Sequence, residues 1–132
     1  MSDQPRTGII KWVDLTVDDA EGVRDFYSAV VGWQAVPVDV GGHEDYVMKH
    51  PDTGDVAAGI CHQLGAVKGL PQQWLAYVTV DDLDDSIAAC EAHGGAVAFG
   101  PKESESMGRW CVVRDPAGAF MALTENTPGE DN

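Results

Sequence analysis

Apolar and polar residues alternate from Ile9 to Val17, with Val13, Leu15 and Val17 on one face and Trp12, Asp14 and Thr16 on the other. That period of two predicts a half-buried strand. The period then changes: Val23, Phe26, Tyr27, Val30 and Val31 recur at helical spacing and predict an amphipathic helix. Asp18 is placed to cap it, with Glu21 three residues on as in a capping box, and Gly32 to close it. Three short strands are predicted next, over 34–40, 45–50 and 56–62, the last two joined by the turn Pro51-Asp-Thr-Gly54.

The pattern then begins again. A strand is predicted over 73–80, Asp81 as a cap, and a helix whose inner stripe is Leu83, Ile87 and Cys90, ending at Gly94-Gly95. Strands follow over 96–99, 109–114 and 119–124, with Asp115-Pro-Ala-Gly118 as a tight turn. Val17 and Val80 lie 63 residues apart, as do Gly32 and Gly95, and Gly54 and Gly118 lie 64 apart. A repeat of that length is one supersecondary unit used twice. The expected fold is therefore a single α+β domain of two tandem β-α-β-β-β modules. Module one covers about 8–62, a Gly- and Pro-bearing linker 63–72, and module two 73–125. The first seven residues and a tail at 126–132 are polar and expected to be loose.

In each module the helix should cover the strand face that carries Val13, Leu15 and Val17 or their equivalents. The opposite face holds Trp12, Asp14 and Thr16, and through the repeat Leu75, Tyr77 and Thr79. An acid and several hydroxyls in that place suggest that each curved mixed sheet faces a wet central cleft. Asp14 is then a candidate base or orienting carboxylate. Tyr77, its counterpart, is a candidate hydrogen-bonding partner with a flat ring, and Trp12 is a wall for a planar ligand. His62 shares a strand face with Ala58 and Ile60 and is expected to look into the cleft as a general base or single metal ligand. Cys61 then points the other way. His43, His50 and His93 read as surface or helix-end residues, His43-Glu-Asp45 as a loop segment with only a weak metal-binding signal, and Arg109 and Glu125 as strand-end residues within reach of the cleft.

The 132-residue chain carries a net charge of −14. It has no basic stripe to neutralise nucleic-acid phosphates or to hold an anionic membrane surface. The expected partner is a small molecule, cationic or aromatic. Three cysteines with no C-x-x-C spacing read as reduced thiols of a cytoplasmic protein. No signal peptide is read, and no apolar run approaches the roughly 20 residues that span a bilayer. Nucleophile-elbow, P-loop and dinucleotide fingerprints are absent from the sequence.

Val13-Asp-Leu-Thr-Val-Asp-Asp19 leading to Phe26-Tyr27 and Gly32-Trp33 resembles the vicinal oxygen chelate superfamily, which contains the glyoxalase I, bleomycin-resistance and extradiol-dioxygenase folds. So does the second run, Trp74 to Leu83, Gly94-Gly95 and Asp115-Pro-Ala-Gly118. The resemblance covers residues 8 to 125 and implies paired modules around a U-shaped cleft, commonly in a homodimer. It also implies where metal-dependent members place four His, Gln or Glu ligands, on the first and last strands of each module. Those places here are Trp12, Leu75, Ala122, and Ala58 or Gly59. None of these side chains ligates a divalent ion, so no metal site is assigned and no cofactor is expected. The function implied is binding of a small organic molecule, as in the bleomycin-resistance branch, with Trp12, Asp14, Leu75, Tyr77 and Ala122 lining the site. The alternative is a lyase, isomerase or oxygenase of the same superfamily that uses Asp14, His62 and Tyr77, or a divalent metal at a shifted site.

Overall fold

The computed structural model describes residues 7–104 and 108–126; the residues 1–6 and 127–132 expected to be loose lie outside them. Among the described residues the elements are β1 (Ile10–Val17), α1 (Ala20–Val31), β2 (Gln34–Asp39), β3 (Glu44–Lys49) and β4 (Val56–His62). A single 3-10 turn follows (Gly65–Val67), and then β5 (Trp74–Val80), α2 (Leu83–Ala92), β6 (Ala96–Ser104), β7 (Gly108–Arg114) and β8 (Phe120–Glu125). The order is β-α-β-β-β twice, as the periodicity predicts, in an α+β fold. No helix among the described residues is long and apolar enough to cross a membrane.

The chain divides into two compact units, Val13–Trp74 and a second in which the described residues up to Trp12 join the described residues from Leu75 onward. In the first unit the strands lie in the order β2-β3-β4-β1. β1 and β4 are parallel and the other pairs antiparallel. Leu15 on β1, Ile60 on β4 and Tyr46 on β3 come into register. With Val17, Ala20 and Met48 they form a buried core against which Val23 and Tyr27 of α1 pack. The expected sidedness of β1 holds, since Leu15 and Val17 are the helix-facing residues. Trp74 Nε1 donates to the Tyr27 hydroxyl at 3.0 Å, so the end of the connection between modules is pinned to α1.

In the second unit the order is β5-β8-β7-β6. β5 and β8 are parallel, and β8·β7 and β7·β6 antiparallel. α2 meets the sheet on the Cys111 side: the Leu83 N–H donates to the Glu125 carboxylate at 2.8 Å, and Arg109 pairs with Asp84 at 3.0 Å and Glu125 at 3.6 Å. Arg109 and Glu125 therefore tie the start of α2 to β7 and β8, which corrects their reading as cleft residues. β6 runs to Ser104, beyond the expected stop at 99. Its ladder with β7 resumes after a register shift between Phe99 and Lys102, so the irregularity absorbs Gly100 and Pro101 without ending the strand.

Both helix caps fall one residue later than expected. Asp19, not Asp18, accepts from the Gly22 N–H at 3.0 Å, and Asp82, not Asp81, accepts from the Asp85 N–H at 3.0 Å. The reason is the same in each module. Val17 and Val80 are the last strand residues, and helices starting at Ala20 and Leu83 put those fully buried residues inward. The first aspartate of each pair is left for other work: Asp81 accepts from the Thr7 hydroxyl at 2.7 Å and from the Asn126 side chain. Those two bonds hold both ends of the described chain, so Thr7 and Asn126 are less free than the sequence suggests. Gly32 closes α1 as predicted, in the left-handed conformation at φ 88°, where a side chain would be strained.

Candidate functional site

Strand register decides which residues share a face. In one unit Asp14 pairs with Gly59, and in the other Tyr77 pairs with Ala122. Asp14 and Tyr77 are 63 residues apart, and so are Gly59 and Ala122. The equivalent of Ala122 is thus Gly59, and Ala58 belongs to the opposite face with Ile60. The four positions that match the metal-ligand places are Trp12, Gly59, Leu75 and Ala122, and none supplies a donor atom.

In the Val13–Trp74 unit, Asp14 (9% exposed) and Thr16 are buried. The residue that joins them is Cys61, in register with Thr16. Its Sγ lies 3.9 and 4.0 Å from the two Asp14 carboxylate oxygens. Burial first, and then the Asp14 and Asp45 carboxylates, push the Cys61 thiol far above its ordinary 9.0. Burial, with Cys90 beside it, pushes Cys111 up to about 11. Both thiols therefore stay protonated in the fold at a pH where an unfolded chain ionises them. The raised values stabilise the fold fully below pH 9.0, and that contribution falls as pH rises, for Cys111 across 9.0 to about 11. Alkylation at pH 8 should accordingly be slow at Cys61 and Cys111 and become fast only in denaturant. Rapid labelling of Cys61 in the folded protein would contradict this.

His62 does not join Asp14. It is in register with Val17, and its ring lies 6.1 Å from that of Tyr46, a helix-side residue. This corrects the expectation of a shared Asp14–His62 face: in a strand, 59 and 61 point one way and 60 and 62 the other. His62 meets the β2–β3 hairpin instead. Asp45 Oδ1 accepts from the His62 backbone N–H at 2.9 Å and lies 3.4 Å from His62 Nδ1 and 3.4 Å from His43 Nε2. The two imidazole rings meet edge to face at 5.5 Å. One donor atom from each of the three side chains falls within 4.8 Å of the others. The expectation of no metal site is thereby narrowed to the superfamily's usual positions, because a set of donors with ligand chemistry exists elsewhere.

In the other unit the face opposite α2 carries Tyr77, Thr79, Ala122, Thr124, Trp110, Val112 and, in register with Val112, Phe99. Trp110 lies between two aromatics, 6.1 Å from the Tyr77 centroid and 5.5 Å from that of Phe99. Leu75, Tyr77, Ala122 and Thr124 are buried, and most of this face is apolar where the sequence suggested a wet one. One polar atom stands out. The Thr124 hydroxyl is fully buried and has no hydrogen-bond partner among the described residues, a state rare in folded proteins. Trp12 and Phe99 are half-buried at this unit's surface.

One part of the site escapes a reading from sequence, and another is read only weakly. Trp110 and Phe99 look like ordinary strand residues until β7 and β6 are placed in register beside β8. His43 and Asp45 carry a weak signal, same-side spacing of two on a strand end. Only the pairing of Tyr46 with Ile60 brings that pair to His62.

The model of the Glyoxalase/Bleomycin resistance protein/Dioxygenase superfamily matches residues 9–123. Among curated proteins, one named "Putative glyoxylase CFP32" from Mycobacterium tuberculosis is 33% identical over 123 residues, covering 92% of this chain and 46% of that protein. The anthracycline biosynthesis protein DnrV of Streptomyces peucetius is 32% identical over 127 residues, covering 88% and 46%. The chain thus spans about half the length of these relatives. Among solved structures, methylmalonyl-CoA epimerase from Mycobacterium tuberculosis superposes with a TM-score of 0.55 at 17% identity, covering 97% of this chain and 93% of that one. A hypothetical protein from Bacillus halodurans C-125 gives 0.57 at 10% identity, covering 95% and 99%. Likeness at that level of identity concerns the fold.

Proposed function

The chain belongs to the Glyoxalase/Bleomycin resistance protein/Dioxygenase superfamily, and from that premise we propose that it binds a small planar organic molecule without a metal at the superfamily's usual positions. The observation that carries the proposal is the helix-free face of β5, β8 and β7. It combines neighbouring aromatic rings, tilted against one another, with a fully buried hydroxyl, Thr124, that has no partner among the described residues. Binding sites for small organic molecules are mostly apolar and aromatic, with a few placed polar groups that fix orientation. Trp12, Leu75, Tyr77 and Ala122 are the proposed lining, with Trp110, Phe99 and Thr124 added to them. A planar ring system would stack on Trp12 or Phe99, and a carbonyl or hydroxyl of the ligand would take the hydrogen bond that Thr124 offers.

The ring preference agrees with the name of the Streptomyces peucetius relative, an anthracycline biosynthesis protein. The net charge of −14 favours neutral or cationic ligands over anionic ones through the field of the whole protein. Isothermal titration against a panel of neutral and cationic planar aromatics tests the reading. Saturable one-to-one binding that Trp12→Ala weakens is expected. Absence of binding across the panel would overturn it.

A further inference from the structure

We propose that His43, Asp45 and His62 form a binding site for one divalent late first-row transition-metal ion, of the zinc or cobalt class, at the junction of the β2–β3 hairpin with the end of β4. The site is separate from the four superfamily positions and from the aromatic face of the other unit. It does not rest on the ligand-binding proposal above.

Donor chemistry is the first support. Two imidazoles and a carboxylate are the mixed nitrogen and oxygen set that suits zinc, cobalt, nickel and ferrous iron, whereas magnesium and calcium call for oxygen alone. Spacing is the second. Bonds of about 2.0–2.1 Å in tetrahedral array place donors roughly 3.4 Å apart. Asp45 Oδ1 is 3.4 Å from His43 Nε2 and 3.4 Å from His62 Nδ1, so two of the three edges already match. The third closes by rotation of His43, a half-buried side chain in the hairpin.

Support from outside the donor set is the third. The His62 backbone N–H holds the Asp45 carboxylate at 2.9 Å. That is the kind of outer contact that orients a metal-binding carboxylate. Tyr46 packs beside His62, and Arg24, which lies over the Tyr46 ring at 4.8 Å, is itself paired with Asp25. Cys61 stays out of the set. Its thiol lies 3.9 Å from an Asp14 carboxylate oxygen, and it is not among the three side chains whose donor atoms converge. Three protein ligands leave at least one coordination position open to solvent or to a small ligand.

The test is titration of the chelator-treated protein with Co2+, read by its visible absorption, and with Zn2+ by calorimetry. One ion per chain is expected, with the intense visible bands of low-coordinate cobalt. His43→Ala and Asp45→Asn should each weaken binding by about 100-fold or more, beyond the about 10–100-fold that follows loss of an outer contact. His50→Ala and His93→Ala, which remove the other two histidines, should leave it unchanged. His43→Ala removes a half-buried hairpin side chain, and Asn at 45 retains an oxygen for the His62 amide, so both variants should fold, as circular dichroism would check. Absence of one-to-one binding, or binding that survives both substitutions, or binding that is lost in His50→Ala or His93→Ala, would overturn the proposal. None of these results bears on whether an aromatic ligand binds the other unit.

Discussion

Ile60→Ala should lower the stability of the protein by about 2–5 kcal/mol, the range for truncating a large buried aliphatic side chain. Ile60 is fully buried, in register with Leu15 of β1 and Tyr46 of β3. Its removal opens a cavity where three strands meet beneath α1. The surrounding side chains are held by ladders on both sides and can collapse only in part. Against a total of about 5–15 kcal/mol for a domain of this kind, such a loss shifts a large share of the population towards unfolded chain. Ile60→Val should cost only about 0.5–1.5 kcal/mol. Val56→Ala, at the exposed start of the same strand, should stay within about 0.5 kcal/mol. Urea unfolding with an unchanged m-value measures all three. If Val56→Ala cost as much as Ile60→Ala, the core would not be where the register places it.

Thr124→Val should act in opposite directions on stability and on binding. A hydroxyl that is fully buried with no partner among the described residues carries an uncompensated desolvation cost of about 1–3 kcal/mol. Valine has nearly the same shape and no such cost. The free protein should therefore become more stable by about 1 kcal/mol or more. If the hydroxyl exists to meet a ligand, the same change removes one hydrogen bond from the complex and weakens binding about tenfold. Thr79→Val, at another buried hydroxyl on this face, is the comparison that separates a ligand contact from general loss of polarity. A fall in stability for Thr124→Val would mean that the hydroxyl is bonded in the free protein. Higher stability with unchanged affinity would remove Thr124 from the binding site.

Much of this architecture is legible in the sequence because it rests on local periodicity. The period-two run ending at Val17 and Val80, the helical stripe from Val23, and Gly32 as a stop are each decided within a few residues. The doubled pattern then carries the topology. The caps were displaced by one residue because Asp18-Asp19 and Asp81-Asp82 each offer two adjacent carboxylates. Which one caps depends on seating Ala20 and Leu83 in the core, a tertiary requirement. The site was less legible for a related reason. Alternation along β4 shows that Cys61 and His62 diverge, but it does not show which of them lies with Asp14. Only the β1–β4 register, Thr16 against Cys61 and Val17 against His62, decides that. The same kind of information turned His43 and Asp45 from loop residues into neighbours of His62. The burial of Leu75, Tyr77 and Ala122 was likewise invisible, since a polar pattern on one strand says nothing about what shields it.

At the places where the resemblance to the superfamily implies metal ligands, this chain carries Trp12, Leu75 and Ala122, and strand register selects Gly59 over Ala58 as the fourth. Ligand binding and metal binding should therefore be separable in this chain. The most direct test is to titrate a planar aromatic ligand by calorimetry before and after exhaustive chelation. Equal affinity in both states, lowered by Trp12→Ala and Thr124→Val but not by His43→Ala, is the expected result. Affinity that vanishes on chelation and returns with added zinc would contradict it.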